Sequence, residues 1–396
     1  MWLVNTTSLK LEEFFGNDVP PYAILSHTWE TEEVSFQDMD GERGICEAAS
    51  RKQGFVKIMK SAAQAAADGH GYIWIDTCCI DKKSSAELSE SINSMFRWYH
   101  QADVCYAYLA DVPRPPPVYP DSTTQWEAQF ACSRWFTRGW TLQELIAPSD
   151  VEFYSENWTR LGSRIELLNA LHHITGIAKS ALASHKDMDE FSVAERMSWA
   201  SNRKTTRRED EAYCIMGIFN VNMPLLYGEG EKAFLRLQEH ILQKSDDHSL
   251  FAWTRQSALH NLEWRSLFAA SPAEFLGAGG IVEYKRFRTK PYSITNQGLR
   301  ISLPFKEHPD SMIVVFLNCH DRNASQRVAP VGIYLESLSK YVLPGILEEP
   351  YTRFTGKGNC VVTEEMILGA KFRTFIIPDR PITWCEKWAT TGRHAD

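Results

Sequence analysis

A glutamate that follows two tryptophans is the feature of this sequence best suited to chemistry. Glu144 lies on a short predicted helix that should end before Pro148, and Trp135 and Trp140 precede it closely. A carboxylate beside flat aromatic walls suits a cationic, aromatic ligand. The same spacing also allows a structural interpretation, in which Thr141 caps the helix and Glu144 completes a capping box.

Polar side chains follow two predicted buried strands. The apolar run at residues 22–25 leads into Ser26 and His27, and the run at 72–75 leads into Asp76. Parallel strands that alternate with helices place their carboxyl ends at one edge of the sheet, where ligands of such folds bind. The sequence therefore predicts that these three side chains line a common site.

Strands and helices alternate over the first part of the chain. A helical stripe at residues 55–66 separates the two strands, a capping box at Ser84 and Glu87 opens a helix that reaches residue 99, and a third strand spans 104–109. This order predicts an α/β fold with a parallel sheet flanked by helices. The five prolines of residues 113–120 predict a surface loop.

The pattern changes twice further along the chain. It is mainly helical from about residue 152 to 240, and β-type runs separated by turns follow Ser249. The later runs predict a small antiparallel sheet or sandwich. We therefore divide the chain into an α/β domain, a helical extension packed on it and a smaller β-rich C-terminal domain, at residues 1–150, 151–248 and 249–396.

Composition narrows the class of protein. The chain has 396 residues, of which 44% are hydrophobic and 23% charged, as is usual for a soluble globular protein. Its formal net charge of -8 argues against nucleic acid as the primary partner. We see no secretory signal and no apolar run of the roughly 18 residues that a membrane span requires. Nine scattered cysteines fit reduced thiols, so we expect a cytoplasmic protein without a metal site.

Three other groups of residues have weaker functional interpretations. Cys79 with His27 and Asp76 has the residue types of a thiol hydrolase, although the spacing fixes no distances. The turn at residues 228–232 lacks the glycine spacing of a phosphate loop and favours a helix start. The basic residues from Arg203 to Arg208 are followed by three acidic ones, which favours a solvated loop.

Three long motifs in order carry a family resemblance. Residues 22–29, 72–81 and 133–148 resemble the fungal heterokaryon-incompatibility (HET) domain. Further segments match the extension often found in such proteins, and these are residues 192–199, 210–213, 223–230 and, more loosely, 294–303. The resemblance implies a role in non-self recognition between fungal strains that ends in growth arrest or cell death.

HET domains are in turn similar to TIR domains, and this similarity implies a TIR/flavodoxin-like sheet and an enzymatic activity. Plant-type TIR domains carry the glutamate that cleaves NAD+ in a Ser-x-Trp-Cys-x-x-Glu-Leu segment. Residues 140–145 of this chain match its Trp-x-x-x-Glu-Leu core, with Thr141 where the pattern has cysteine. The resemblance thus implies that Glu144 is the catalytic residue of an NAD+ glycohydrolase.

In such a reaction nicotinamide leaves as a neutral base while positive charge builds on the ribose, and a nearby carboxylate stabilises that charge. NAD+ or a related nucleotide is then a substrate, and no cofactor is expected. Trp29 or Trp140 would stack on a base, and Ser26, His27 and Arg138 would hold hydroxyls and phosphates. The predicted substrate-binding residues are Ser26, His27, Trp29, Asp76, Arg138 and Trp140.

A non-enzymatic interpretation from another class stays open at this point. The same α/β surface could oligomerise and trigger cell death by recruiting partners. Under the enzymatic interpretation we expect self-association for activity, and under either one an upstream incompatibility partner is possible. The region after residue 249 could sense a signal, inhibit the α/β domain or only stabilise it.

Overall fold

A computed structural model of the chain describes residues 1–40, 44–115, 123–183, 187–255, 264–310, 312–324, 329–338 and 350–378. Part of the predicted proline-rich loop, residues 116–120, lies outside the described residues. The chain forms two compact units. One comprises Met1–Met188 and Arg203–Gly230, and the other Asp189–Asn202 and Glu231–Asp396. The predicted division of the chain into three domains, with boundaries after residues 150 and 248, stays a prediction.

The strands and helices are numbered here in chain order. The strands are Trp2–Asn5 (β1), Leu11–Glu13 (β2), Ala23–His27 (β3), Met39–Asp40 (β4), Gly44–Ile45 (β5), Tyr72–Ile75 (β6), Val104–Tyr108 (β7), Val151–Tyr154 (β8), Arg160–Ser163 (β9), Trp264–Arg265 (β10), Ile281–Glu283 (β11), Ser293–Thr295 (β12), Gly298–Glu307 (β13), Met312–Asp321 (β14), Pro330–Ser337 (β15), Tyr351–Phe354 (β16), Cys360–Val361 (β17) and Lys371–Ile377 (β18). The α-helices are Gln53–Ala67 (α1), Ser85–Gln101 (α2), Thr123–Ala131 (α3), Arg134–Thr137 (α4), Thr141–Ile146 (α5), Leu168–Thr175 (α6), Lys179–Ala183 (α7), Val193–Ala200 (α8), Asp210–Tyr213 (α9), Lys232–Lys244 (α10) and Glu364–Leu368 (α11).

The first unit is built on a mixed sheet with the strand order β2-β1-β6-β3-β7-β8-β9. Strands β6, β3, β7 and β8 are parallel, which confirms the predicted α/β fold with a sheet flanked by helices. In chain order these four strands are arranged 2-1-3-4, the beginning of the flavodoxin-like order. Ligands of such sheets bind between the first and third strands, because the connections that follow these two strands run in opposite directions. Here these strands are β3 and β7.

Two features of this sheet differ from the sequence-based expectation. Antiparallel strands β1 and β2 extend one edge, and β9 pairs antiparallel with β8 at the other. Residues 151–163, which we expected to begin a helical region, form β8 and β9. These strands are only four residues long, too short for periodicity to separate strand from helix.

The buried face of α1 is also shifted from the predicted stripe. Met59 and Ala63 are exposed, whereas Lys57 and Ser61 face the interior beside Ile58. The predicted stripe counted apolar residues alone, and it shares only Ile58 and Ala62 with the buried face, which small and polar residues at i, i+3 and i+4 spacing complete. A lysine therefore enters the interior next to β3.

The second unit contains an antiparallel sheet, as predicted for the region after residue 249. Its order is β10-β16-β15-β14-β13-β12, with β11, β17 and β18 paired to β14, β15 and β13. Helix α8 belongs to this unit, and its first amides donate to the Asp247 carboxylate at 2.7 Å and to the Ser249 hydroxyl at 2.9 Å. Within the described part of the chain, no helix is long and apolar enough to cross a bilayer.

Candidate active site

The Glu144 side chain does not complete a capping box. Thr141 is the first residue of α5, and its hydroxyl donates to the carbonyl oxygens of Trp135 and Arg138 instead of capping the helix. The Glu144 carboxylate accepts a hydrogen bond from the hydroxyl of Ser26, on β3. The capping-box interpretation is therefore wrong, because an earlier turn of backbone takes up the threonine hydroxyl. The helix does end at Ile146, before Pro148.

Glu144 lies where the sheet topology predicts a ligand site. Ser26 pairs in register with Ala107 of β7, and the Cys105 thiol, also on β7, contacts the Glu144 carbonyl oxygen at 3.8 Å. The carboxylate thus lies against β3 while its backbone lies against β7. Ser26 is near the carboxyl end of β3, and the chain leaves β3 and β7 there in opposite directions, toward β6 and toward β8.

Burial and charge set the ionisation of Glu144. Only 5% of the residue is exposed, and burial together with the negative charge of Asp76 raises the pKa of Glu144 to about 7. The Ser26 hydrogen bond and the charges of Arg138 and Arg203 oppose that shift. The carboxyl group can therefore gain or lose a proton near neutral pH.

The pKa of Asp76 is shifted in the opposite direction to that of Glu144. Burial alone would raise its pKa, but the hydrogen bond from His27 and the charges of Lys82 and Arg138 hold the pKa of Asp76 well below its ordinary value. His27 Nε2 lies 3.0 Å from Asp76 Oδ1, and Trp29 Nε1 donates to Oδ2 at 2.8 Å. The site thus holds one permanently ionised carboxylate and one that titrates near neutrality, a separation typical of acid–base sites.

His27 is held by a buried lysine that the sequence interpretation missed. Lys57 Nζ lies 3.2 Å from His27 Nδ1 and pairs with the Glu33 carboxylate, and only 6% of Lys57 is exposed. The Thr28 carbonyl oxygen also lies 3.2 Å from His27 Nδ1 and accepts from Lys57 Nζ at 3.3 Å, so the lysine and this carbonyl together surround that ring nitrogen. The apolar stripe predicted for α1 did not include Lys57, and no feature of the sequence pointed to Glu33.

Arg203 also belongs to this region, and the prediction of a solvated loop is wrong for this residue. Its Nη1 donates to the Arg138 carbonyl oxygen at 2.9 Å and to the Thr141 hydroxyl at 2.8 Å, and burial lowers the pKa of Arg203 to about 10. Its neighbour Lys204 pairs its backbone with Thr137 and Gly139. Arg203 therefore fixes the start of the helix that carries Glu144.

Trp135 and Trp140, which we predicted to flank the Glu144 carboxylate, have other neighbours in the structure. Trp135 is fully buried, its Nε1 donates to the Ser26 hydroxyl at 2.8 Å, and its ring packs on Phe136 and Phe153. Trp135 therefore cannot be a ligand-facing wall, because aromatic side chains already surround it. Trp140 is partly exposed and hydrogen-bonds with Asp210.

The thiol interpretation gains no support from these contacts. Cys79 Sγ accepts a hydrogen bond from the Ile75 amide at 3.3 Å, and both ring nitrogens of His27 face other partners. The turn weighed as a phosphate loop binds an internal carboxylate, since the amides of Gly228 and Gly230 donate to Glu209 at 2.8 and 3.1 Å. Its helix, α10, begins directly afterwards, as predicted.

A close backbone approach at Gly139 makes this region sensitive to one added carbon. A Cβ there would lie 2.5 Å from Thr205 Cγ2 and 3.0 Å from Cys214 Sγ. We expect Gly139→Ala to lower the free energy of unfolding by about 2 kcal/mol, measured by urea denaturation. Gly71→Ala is the matched control, because its Cβ would meet nothing within 4 Å, and its change should stay within about 0.5 kcal/mol. Equal effects of the two variants would contradict the account of close packing.

Comparison with known proteins identifies the class. The family model of the heterokaryon incompatibility protein (HET) matches residues 22–115, which therefore form a HET domain. These residues include β3, β6, β7 and the side chains of Ser26, His27 and Asp76, whereas Glu144 lies beyond them. A second family model, a domain of unknown function (DUF8212), matches residues 232–264.

The chain is also similar to one named protein over a longer stretch. It is 50% identical over 226 residues to the vegetative incompatibility protein HET-E-1 of Podospora anserina. The alignment covers 56% of this chain but only 16% of HET-E-1, so the chain matches a small part of that protein. No solved structure matches the chain.

Proposed function

We propose that the chain is a cytoplasmic effector of fungal non-self recognition and cell death, and that its first unit cleaves the N-glycosidic bond of NAD+. The HET domain and the name of the Podospora relative support the biological role. One observation carries the chemistry: Glu144 is a buried carboxylate, held by the Ser26 hydroxyl and not by its own helix start, at the carboxyl end of the parallel strands.

The reaction breaks the bond between the nicotinamide nitrogen and C1′ of the ribose. The bonding electrons leave with nicotinamide, which becomes neutral, while positive charge develops on the ribose and a water molecule then adds at C1′. The ionised form of Glu144 stabilises that charge in a site with little water. The positively charged nicotinamide ring favours the same ionised form, because opposite charges nearby lower the pKa of a carboxyl group.

The remaining predicted residues have supporting roles in this proposal. Ser26 orients the Glu144 carboxylate, and Asp76 adds a second negative charge that His27 and Trp29 hold in place. Trp140 is the partly exposed ring available for a base, and Arg138 is available for phosphate. Because Glu144 is only 5% exposed, the site must open or be completed before a nucleotide reaches it. Self-association or an upstream incompatibility partner would supply that change.

The test is NAD+ consumption by the purified full chain at low and high protein concentration. We expect nicotinamide to appear in proportion to the NAD+ lost, with a specific activity that rises as the protein self-associates. Absence of turnover at every concentration, including conditions where the protein is shown to be oligomeric, would contradict the proposal. That result would favour a module that kills by recruiting partners, since a buried glutamate bonded to a serine can also be purely structural.

A further inference from the structure

Two cations lie against the exposed indole ring of Trp29. Lys82 Nζ is 3.8 Å from the ring centroid, and Arg138 Cζ is 5.0 Å from it. The ring is 43% exposed, and its Nε1 is fixed by the hydrogen bond to Asp76. A cation at van der Waals distance covers part of the ring, so Trp29 is better placed to hold charge than to stack on a base.

These two cations are only partly balanced, by the Asp76 carboxylate that accepts from the same indole ring. Among the described residues, neither Lys82 nor Arg138 has a carboxylate within ion-pair distance, and Asp76 acts on both only from further away. Desolvation lowers the pKa of the Lys82 ammonium against the opposing charges of Asp76 and Glu33, and the charge of Arg138 adds to that lowering. Two like charges held beside one solvent-exposed ring repel each other, and an anion between them would relieve that repulsion.

We propose that Lys82, Arg138 and Trp29 form a pyrophosphate-binding subsite. The planar guanidinium of Arg138 would take two phosphate oxygens, the ammonium of Lys82 would act as a point charge, and the indole would keep both in place. This inference rests on the proposed function for the identity of the ligand as a dinucleotide. Lys82 is not among the substrate-binding residues predicted from the sequence.

The subsite is connected to the candidate catalytic carboxylate through the chain. Arg138 lies just before α5, which carries Glu144, and Arg203 ties the Arg138 carbonyl oxygen to the Thr141 hydroxyl at the start of that helix. The charge of Arg138 also acts on Glu144, whose pKa it lowers, so a pyrophosphate held at Arg138 would lie within electrostatic reach of that carboxylate. Substrates that carry the pyrophosphate, such as NAD+, would be selected over nicotinamide riboside, which lacks it.

The experiment is isothermal titration calorimetry with ADP-ribose and with inorganic pyrophosphate, using full-length Glu144→Gln so that no turnover interferes. We expect both ligands to bind, and Lys82→Met and Arg138→Met each to weaken binding about tenfold or more. Methionine keeps apolar contact with the indole and removes only the charge. Lys83→Met is the matched control, because Lys83 is the next residue and likewise exposed but is not one of the two cations against the Trp29 ring, and it should change the affinity less than twofold.

The outcomes separate this inference from the proposed function. No binding of either ligand, or an affinity within twofold of the parent in folded Lys82→Met, would overturn the subsite whatever the fate of NAD+. Binding that Lys82→Met weakens, together with no nicotinamide release by the parent chain, would keep the subsite and count against the proposed cleavage only. If Arg138→Met does not fold, the test rests on Lys82→Met and on the charge reversal Lys82→Glu. We expect the charge reversal to weaken ligand binding more than Lys82→Met does.

Discussion

Glu144→Gln is expected to lower the rate of nicotinamide release from NAD+ by at least ~10³-fold. Glutamine keeps the shape of the side chain and an oxygen that can accept from Ser26, but it cannot carry the negative charge that stabilises the ribose cation. The measurement compares initial rates of nicotinamide release at equal protein concentration. A variant that retains more than a tenth of the parent rate would exclude Glu144 as the catalytic carboxylate.

Two controls make that comparison specific. Glu47→Gln makes the same chemical change at a glutamate whose side chain is 85% exposed, and we expect no change in rate. Glu144→Gln should also remain folded above neutral pH. Because the pKa of Glu144 is raised to about 7, its favourable contribution to stability is present below about pH 4.5 and lost as the pH rises through about 7. The glutamine variant avoids that loss and should be at least as stable as the parent at pH 8.

Lys57→Met is expected to lower the free energy of unfolding by about 3 kcal/mol. The substitution leaves the Glu33 carboxylate, whose side chain is 15% exposed, without its cation, and it removes the ammonium group that lies beside His27 Nδ1. An unpaired buried charge costs more than a missing surface ion pair, since little water can replace the lost partner. Chemical denaturation followed by circular dichroism measures the change.

Two further variants separate charge from packing in this network. Lys60→Met makes the same substitution on the exposed side of α1, and its effect should stay within about 0.5 kcal/mol. Adding Glu33→Gln to Lys57→Met should restore part of the lost stability, because it removes the unpaired charge. If Lys57→Met and Lys60→Met have equal effects, the buried network does not stabilise the unit.

The sequence predicted the parts of the fold that have a strong local pattern. The runs at residues 22–25, 72–75 and 104–109 became three neighbouring parallel strands, because a central strand covered on both faces consists almost wholly of apolar residues. The order of these strands in the sheet was not readable from the runs themselves. The short edge strands β2 and β9 gave no usable pattern, since tertiary pairing and not local preference decides their structure.

For the candidate site, too, the sequence predicted only the residues that stand out in a local pattern. Ser26, His27 and Asp76 were found because a polar residue at the end of a buried strand is conspicuous, and the structure places them beside one another or beside Glu144. Lys57 and Arg203 were missed or misjudged, because a basic residue on a helix or in a charged loop is usually solvated. Their burial depends on contacts with residues far away in sequence, which no local pattern records. The TIR-like assignment and the roles of the individual site residues stay predictions.

The pH dependence of kcat/KM for nicotinamide release from NAD+ tests the central claim most directly, because it reports ionisations of the free enzyme. The raised pKa of Glu144 predicts a rate that increases with pH through an apparent pKa near 7, since the ionised carboxylate is the active form. This rising limb should be absent from any residual activity of Glu144→Gln. A rate already at its plateau at pH 5.5, or the same rising limb in both proteins, would contradict the account.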